Sequence, residues 1–155
     1  MAVEIERKFL VVNDKWRSNI QSKTRLKQGY LSNRGNASVR VRMGAGRAFL
    51  NIKSATLGVR RCEFEYEIPV EDAEDLLEQL AMRPFIDKTR YKVACGSHTW
   101  DLDVFHGEND GLVVAEVELD SEDEAFEMPD WAGEEVSGDP RYYNVCLVKH
   151  PFSKW

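Results

Sequence analysis

Glu4-Ile5-Glu6-Arg7-Lys8 governs how the rest of the chain is read. On a β-strand successive side chains alternate between faces. Glu4, Glu6 and Lys8 therefore project together, while Val3, Ile5 and, less comfortably, Arg7 project the other way. Two acids and a base on one face admit two readings. Either the face is a solvated sheet surface, or it is one wall of a site that holds a metal and a phosphate.

The same alternation recurs downstream. Val39-Arg40-Val41-Arg42 leads through a turn at Gly44-Ala45-Gly46 into Phe49-Leu50-Asn51-Ile52-Lys53, the pattern of a hairpin. A loop around Leu57-Gly58 brings in a third alternating run, Arg61 to Ile68, so an antiparallel meander is expected. Pro69 breaks the pattern. Residues 71–82 change to helical spacing, with Ala73, Leu76, Leu77, Leu80 and Ala81 on one stripe and acids in the first turn, where the helix dipole favours them. Strands resume at Phe85–Val93, His98–Phe105 and Leu112–Leu119, with a turn at Cys95-Gly96-Ser97. Ser121 followed by Glu124 has the form of a capping box and predicts a short helix, and Pro140–Val148 is read as helical. With the first strand and Gln28-Gly29-Tyr30-Leu31 the count is about eight strands, enough to close a barrel. The expected fold is mainly β (α+β): an eight-stranded antiparallel closed β-barrel with helices packed on the outside.

A length of 155 residues is that of a single domain, 1–155. The net charge of −6 argues against non-specific nucleic-acid binding, which needs a basic surface. Cys62, Cys95 and Cys146 lack metal-ligand spacing, and an odd count fits reduced thiols. No segment approaches membrane-spanning length, and the first residues carry acids where a signal peptide would be basic, so a cytoplasmic location is expected. His98, His106 and His150 read as surface residues and the four tryptophans as packing aromatics. Nothing in the sequence sets an oligomeric state.

The polar faces of the strands carry Glu4, Glu6 and Lys8; Arg40 and Arg42; Lys53; Arg61, Glu63 and Glu65; Lys88 and Arg90; Asp101 and Asp103; Glu116 and Glu118. Alternation alone fits an ordinary sheet with its charged side in water. The sorting of like charges by strand points the other way. Solubility needs only mixed signs, whereas two carboxylates about 4 Å apart repel by ~4 kcal/mol at a surface-like effective dielectric. Turned inside out, the apolar faces would pack outward and the charged faces would line a tunnel. Grouped acids suit hard divalent cations such as Mg²⁺ and Mn²⁺, and Arg and Lys suit a polyanion.

In this order and spacing the blocks resemble the CYTH, or triphosphate tunnel metalloenzyme, family. The blocks are the ExExK of Glu4, Glu6 and Lys8, QGYL with Tyr30, VRVR with Arg40 and Arg42, LNIK with Lys53, RCEFEYEIP from Arg61, KTRY with Lys88 and Arg90, WDLDVFHG, AEVELDSED and GEEVSGDPRYYN. The resemblance runs nearly end to end. It implies an eight-stranded tunnel and hydrolysis or cyclisation of triphosphates with Mg²⁺ or Mn²⁺. It makes Glu4, Glu6, Glu116 and Glu118 metal ligands, and Glu63, Glu65 and Asp103 ligands of a second metal or supports for the first. Lys8, Arg40, Arg42, Lys53 and Arg90 become triphosphate contacts, with Arg61 weaker, and Asp101 orients one of these bases. Arg141 and Asn144 are expected to brace the tunnel mouth.

Lys88 has two readings, a plain phosphate ligand or a general base whose pKa falls among Arg40, Arg42 and Arg90. Tyr30 is either its hydrogen-bonding partner or a barrel-end aromatic. The leading function is metal-dependent hydrolysis of inorganic triphosphate, a small-molecule partner, with no role for nucleic acid or membrane. The alternatives are a nucleoside or thiamine triphosphatase, a class IV-type adenylate cyclase, or a polyphosphate-binding module without chemistry.

Overall fold

Period-two alternation becomes a closed antiparallel sheet. The computed structural model describes residues 3–55 and 58–155, so Leu57 of the expected loop lies outside the described residues. The strands are β1 (Val3–Val11), β2 (Ile20–Ser32), β3 (Ala37–Gly44), β4 (Arg47–Ser54), β5 (Arg60–Ile68), β6 (Ile86–Cys95), β7 (His98–Phe105), β8 (Val113–Glu118) and β9 (Ala132–Glu135). Two helices, α1 (Val70–Leu80) and α2 (Asn144–Lys149), accompany them. The strand order is β5-β4-β3-β2-β6-β7-β8-β1, and β1 closes the ring by pairing Val3–Ile5 with Cys62–Arg60 of β5. The predicted eight-stranded barrel is therefore present.

The ninth strand is an addition. On the edge that β5 leaves, β1 takes up β9, pairing Phe9 with Glu135 and Val11 with Ala132. Ala-Gly-Glu-Glu carries no apolar alternation, which is why β9 is silent in the sequence. β1 thus changes partner across Glu6–Lys8, and single backbone bonds bridge the change: Glu6 N to Val59 O at 2.9 Å and Val136 N to Lys8 O at 2.8 Å.

The β3–β4 turn has Ala45 at φ 54° and Gly46 at φ 74°. Both central residues are left-handed, the conformation that matches the twist of a two-residue hairpin. β2 extends well beyond Gln28–Leu31. Its first half, Ile20–Arg25, is mostly exposed and so lacks apolar alternation, yet it pairs with β6 from Ile20 onward. α1 packs on the outer face of β2–β4, burying Ala73 and Leu77 against Val41 and Ala48. Gly29 permits the approach, because a Cβ there would strike the Leu77 and Ala81 side chains. Leu80, expected on the buried stripe, is 62% exposed at the helix end.

Two expected helices differ. Ser121–Glu124 forms a turn: the Glu124 carboxylate accepts from Asp120 N at 2.6 Å and meets His98 Nε2 at 2.5 Å, and Ser121 Oγ donates to Asp123. The capping atoms are spent before a helix can propagate. The run Pro140–Val148 is broken at Tyr143, which is extended (ψ 134°) between a 3-10 turn at Pro140–Tyr142 and α2. His98 and His106 are half-buried rather than surface groups, the latter 2.8 Å from Thr89 Oγ1.

The barrel is inside out. Its apolar faces form outer clusters, one around Phe9, Trp16, Trp100, Leu102, Val117 and Trp131, and another around Ile86, Phe105, Val114 and Leu147. Helices cover only part of this outer surface, for Phe64 and Tyr66 of β5 remain exposed at 40% and 55%. The charged faces point into the barrel.

Candidate active site

Strand register sets the walls. Glu6 lies opposite Glu118 and Lys8 opposite Glu116, so β1 and β8 form an acidic wall with one base in it. β3 supplies Arg40 and Arg42, β4 supplies Lys53, β5 supplies Arg61, Glu63 and Glu65, and β6 supplies Lys88 and Arg90. Together they enclose a cavity of about 560 Å³. Of the residues expected from sequence, the cavity is lined by Glu4, Glu6, Lys8, Tyr30, Arg40, Arg42, Lys53, Arg61, Glu63, Glu65, Lys88, Arg90, Asp101, Glu116, Glu118 and Asn144.

Asp103 stands apart. It is 1% exposed and does not line the cavity, because its oxygens are taken by Arg90 at 2.8 and 3.0 Å and by Lys88 at 2.9 Å. Asp103 thus contacts both Lys88 and Arg90. Asp101, expected to orient one of these bases, lies 3.6 Å from Arg90 and contacts Lys92. Arg141 is at the surface, paired with Asp139 at 2.7 Å, and does not brace the cavity.

The remaining charges of the cavity lean on one another, some as direct cross-strand neighbours. Lys53 Nζ lies 3.2 Å from Glu4 and 3.9 Å from Glu63; Arg61 is 3.9 Å from Glu6, Lys8 is 3.6 Å from Glu116, and Arg42 is 3.2 Å from Glu65. Asn51 donates to Glu63 at 3.1 Å and to Glu65 at 2.6 Å. Burial, then the neighbouring Glu116 carboxylate, pushes the pKa of Glu6 well above the usual carboxylate range. Burial and then Glu4 raise Glu118. On the basic side, burial followed by Arg40 and Arg90 lowers Arg42 to about 10, and burial followed by Arg40 lowers Lys53.

Lys88 is 1% exposed, and its pKa falls to about 7. The direction matches the base reading, but burial is the main cause, with Arg90 adding to it, while Asp103 and Glu116 oppose the shift. Its second hydrogen-bond partner is Asn144 Oδ1, at 2.9 Å, rather than Tyr30. Tyr30 lines the cavity without a hydrogen bond to Lys88.

Sequence reasoning missed Lys92 and Tyr143, both in the lining. Lys92 continues the period-two series of Lys88 and Arg90 and was legible by that spacing. Tyr143 comes from an irregular turn and gave no periodic signal.

The donor chemistry suits a divalent cation: Glu4, Glu6, Glu116 and Glu118 present hard oxygens on one wall. Burial first and the Glu116 carboxylate second raise the pKa of Glu6, and a cation beside these oxygens would offset both. Among the described residues no three His, Cys, Asp or Glu side chains already converge at ligating distance. Glu4, Glu6 and Glu116 lie instead against Lys53, Arg61 and Lys8.

Residues 2–143 match the CYTH domain family. The chain is 45% identical over 155 residues to a protein of Acetivibrio thermocellus named inorganic triphosphatase, covering 100% of this chain and 99% of that one. It is 39% identical over 150 residues to a protein of the same name from Nitrosomonas europaea, covering 94% and 96%. A crystal structure of the inorganic triphosphatase NE1496 superimposes with a TM-score of 0.67 at 36% identity, over 96% of this chain and 95% of that chain.

Proposed function

The chain belongs to the CYTH domain family, and from that premise we propose that it is an inorganic triphosphatase that hydrolyses tripolyphosphate to diphosphate and phosphate inside the barrel. The observation that carries this reading is the sorting of charge in one cavity, with acids on β1 and β8 facing bases on β3, β4 and β6. A divalent metal belongs to the family's chemistry, and we assign that place to Mg²⁺ or Mn²⁺. Glu4, Glu6, Glu116 and Glu118 would hold it, with Glu63 and Glu65 available to a second ion. Bound there, such an ion neutralises phosphoryl oxygens and makes a water more acidic.

The protein's own part is binding, orientation and proton transfer. Lys8, Arg40, Arg42 and Lys53 take the phosphate oxygens, Arg by paired N–H groups and Lys as a point charge. Arg61 and Arg90 add charge from the flanking strands, Arg90 with its guanidinium held by Asp103. Phosphoryl transfer asks mainly for positioning and charge stabilisation. Lys88 acts as general base: with its pKa near 7 and two acceptors, Asp103 and Asn144, for its N–H groups, the neutral amine keeps a lone pair for a water proton. The water oxygen bonds to the terminal phosphorus, the bridging P–O bond breaks, diphosphate leaves, and Lys88 holds the proton. Asp103 in this scheme positions Lys88 and Arg90 and does not ligate metal.

Few apolar groups line the cavity, and the Tyr143 ring is engaged by Lys8 and Arg61. A nucleobase or thiazole would find little to stack on, which favours an inorganic substrate. Three free thiols fit a reducing compartment, and we place the enzyme in the cytoplasm. Among the described residues no helix is long and apolar enough to cross a membrane. The test is phosphate release from tripolyphosphate, ATP and thiamine triphosphate, side by side, with Mg²⁺, Mn²⁺ or EDTA. Metal-dependent release from tripolyphosphate in preference to the others is expected. A preference for an organic triphosphate would overturn the substrate assignment, and metal-independent binding without release would leave a polyphosphate-binding module.

A further inference from the structure

The turn Tyr142–Asn144 enters the barrel where β1 changes partner, and each of its three residues meets a base that faces the cavity. Tyr142 O accepts from Lys8 Nζ at 3.0 Å, and Asn144 Oδ1 accepts from Lys88 Nζ at 2.9 Å. Between them the Tyr143 ring centroid lies 5.3 Å from Lys8 Nζ and 5.2 Å from the Arg61 guanidinium carbon. The ring is anchored by its hydroxyl, which donates to Ser137 O at 2.6 Å and accepts from Gly58 N at 3.1 Å. Ser137 in turn accepts from Lys8 N at 2.9 Å through its Oγ. One side chain thus ties the C-terminal turn to β1 and to the approach of β5.

We propose that Tyr143 is a positioning residue for substrate affinity: its ring holds Lys8 and Arg61, two cations from different strands, where both can face one polyanion. The proposal rests on the triphosphatase reading. Two like charges directed at the same point repel, and each needs a partner that keeps it in place. The carboxylates nearest to them are Glu116, 3.6 Å from Lys8, and Glu6, 3.9 Å from Arg61. Both are loose contacts, and both acids are assigned to a cation in the reaction. An aromatic face attracts ammonium and guanidinium groups through its quadrupole without neutralising them and without competing for metal. Tyr143 therefore stays with the bases when the acids turn to the cation, and leaves their charge available to phosphate.

The test compares wild type with Tyr143→Leu and Tyr143→Phe in steady-state hydrolysis of tripolyphosphate. Tyr143→Leu removes the ring, and KM should rise about 10- to 30-fold while kcat changes less than about threefold. Tyr143→Phe keeps the ring but loses the two hydroxyl bonds to Ser137 O and Gly58 N, so its KM should lie between those of wild type and Tyr143→Leu. An unchanged KM in Tyr143→Leu, or a Phe variant as impaired as the Leu variant, would overturn the proposal. If Tyr143→Leu does not fold, as judged by its thermal melt, Tyr143→pentafluorophenylalanine keeps the shape of Phe and reverses the ring quadrupole. A KM no higher than that of Tyr143→Phe then overturns the role equally. Absence of turnover in wild type removes the triphosphatase reading and this role together, whereas normal wild-type turnover with an indifferent Tyr143→Leu removes only the role.

Discussion

Two side chains concentrate the chemistry. Glu6 has a folded pKa raised above its ordinary value by burial and by Glu116. Its protonated form therefore contributes stability that is fully present below the ordinary carboxylate value of 4.5 and is lost as pH rises through the raised value. Glu6→Gln should abolish turnover while raising the melting temperature in EDTA by about 2–5 °C near neutrality. That gain should shrink toward pH 4, and thermal melts across pH read it; a variant that melts well below wild type would make Glu6 a structural ion-pair partner instead. Lys88 shifts the opposite way, from 10.5 to about 7. Its contribution to stability is present above 10.5 and lost as pH falls through 7, so wild type should gain on Lys88→Met between pH 7 and 10.5. Lys88→Met should lower kcat by about 10²- to 10⁴-fold with KM changed far less. Equal loss in substrate binding would reduce Lys88 to a phosphate ligand. Most of these side chains were legible because strand alternation places them on one face. Asn144 as the Lys88 partner was not, since it arrives from a turn with no repeat to announce it.

At the scale of elements, hairpins and α1 were legible because apolar periodicity and turn residues agree there. The exceptions share a cause: local pattern yields to tertiary bonding. The first half of β2 has no apolar alternation and is held by its pairing with β6. Glu124 would cap a helix in isolation, but His98 and Asp120 N claim its carboxylate. β9 with Val136 and Ser137 finishes the edge that β5 leaves on β1, a need visible only once the barrel is closed. The β3–β4 turn offers a clean test of backbone energetics. Ala45 sits at φ 54°, where a Cβ is unfavourable and glycine is not. Ala45→Gly should stabilise the protein by about 0.5–1 kcal/mol with phosphate release unchanged, measured by denaturant unfolding. No gain would mean that the unfolded chain's extra freedom cancels the relieved strain.

For the molecule as a whole, alternation could not say which face is the interior, since a charged face is compatible with water. The sorting of like charges by strand carried that decision, and the outer clusters around Trp100 and beneath α1 bear it out. The net charge of −6 describes the whole chain and hides a basic wall turned inward. The cost of this architecture is a set of like charges held close together, which a polyanion and cations in the same space would relieve. The most direct measurement is anomalous scattering from crystals grown with Mn²⁺ and tripolyphosphate. Manganese is expected within ligating distance of Glu4, Glu6, Glu116 and Glu118, with the phosphate chain running from it toward Arg40, Arg42 and Lys53. Manganese and phosphate bound only outside the barrel, with the cavity's ion pairs intact, would contradict it.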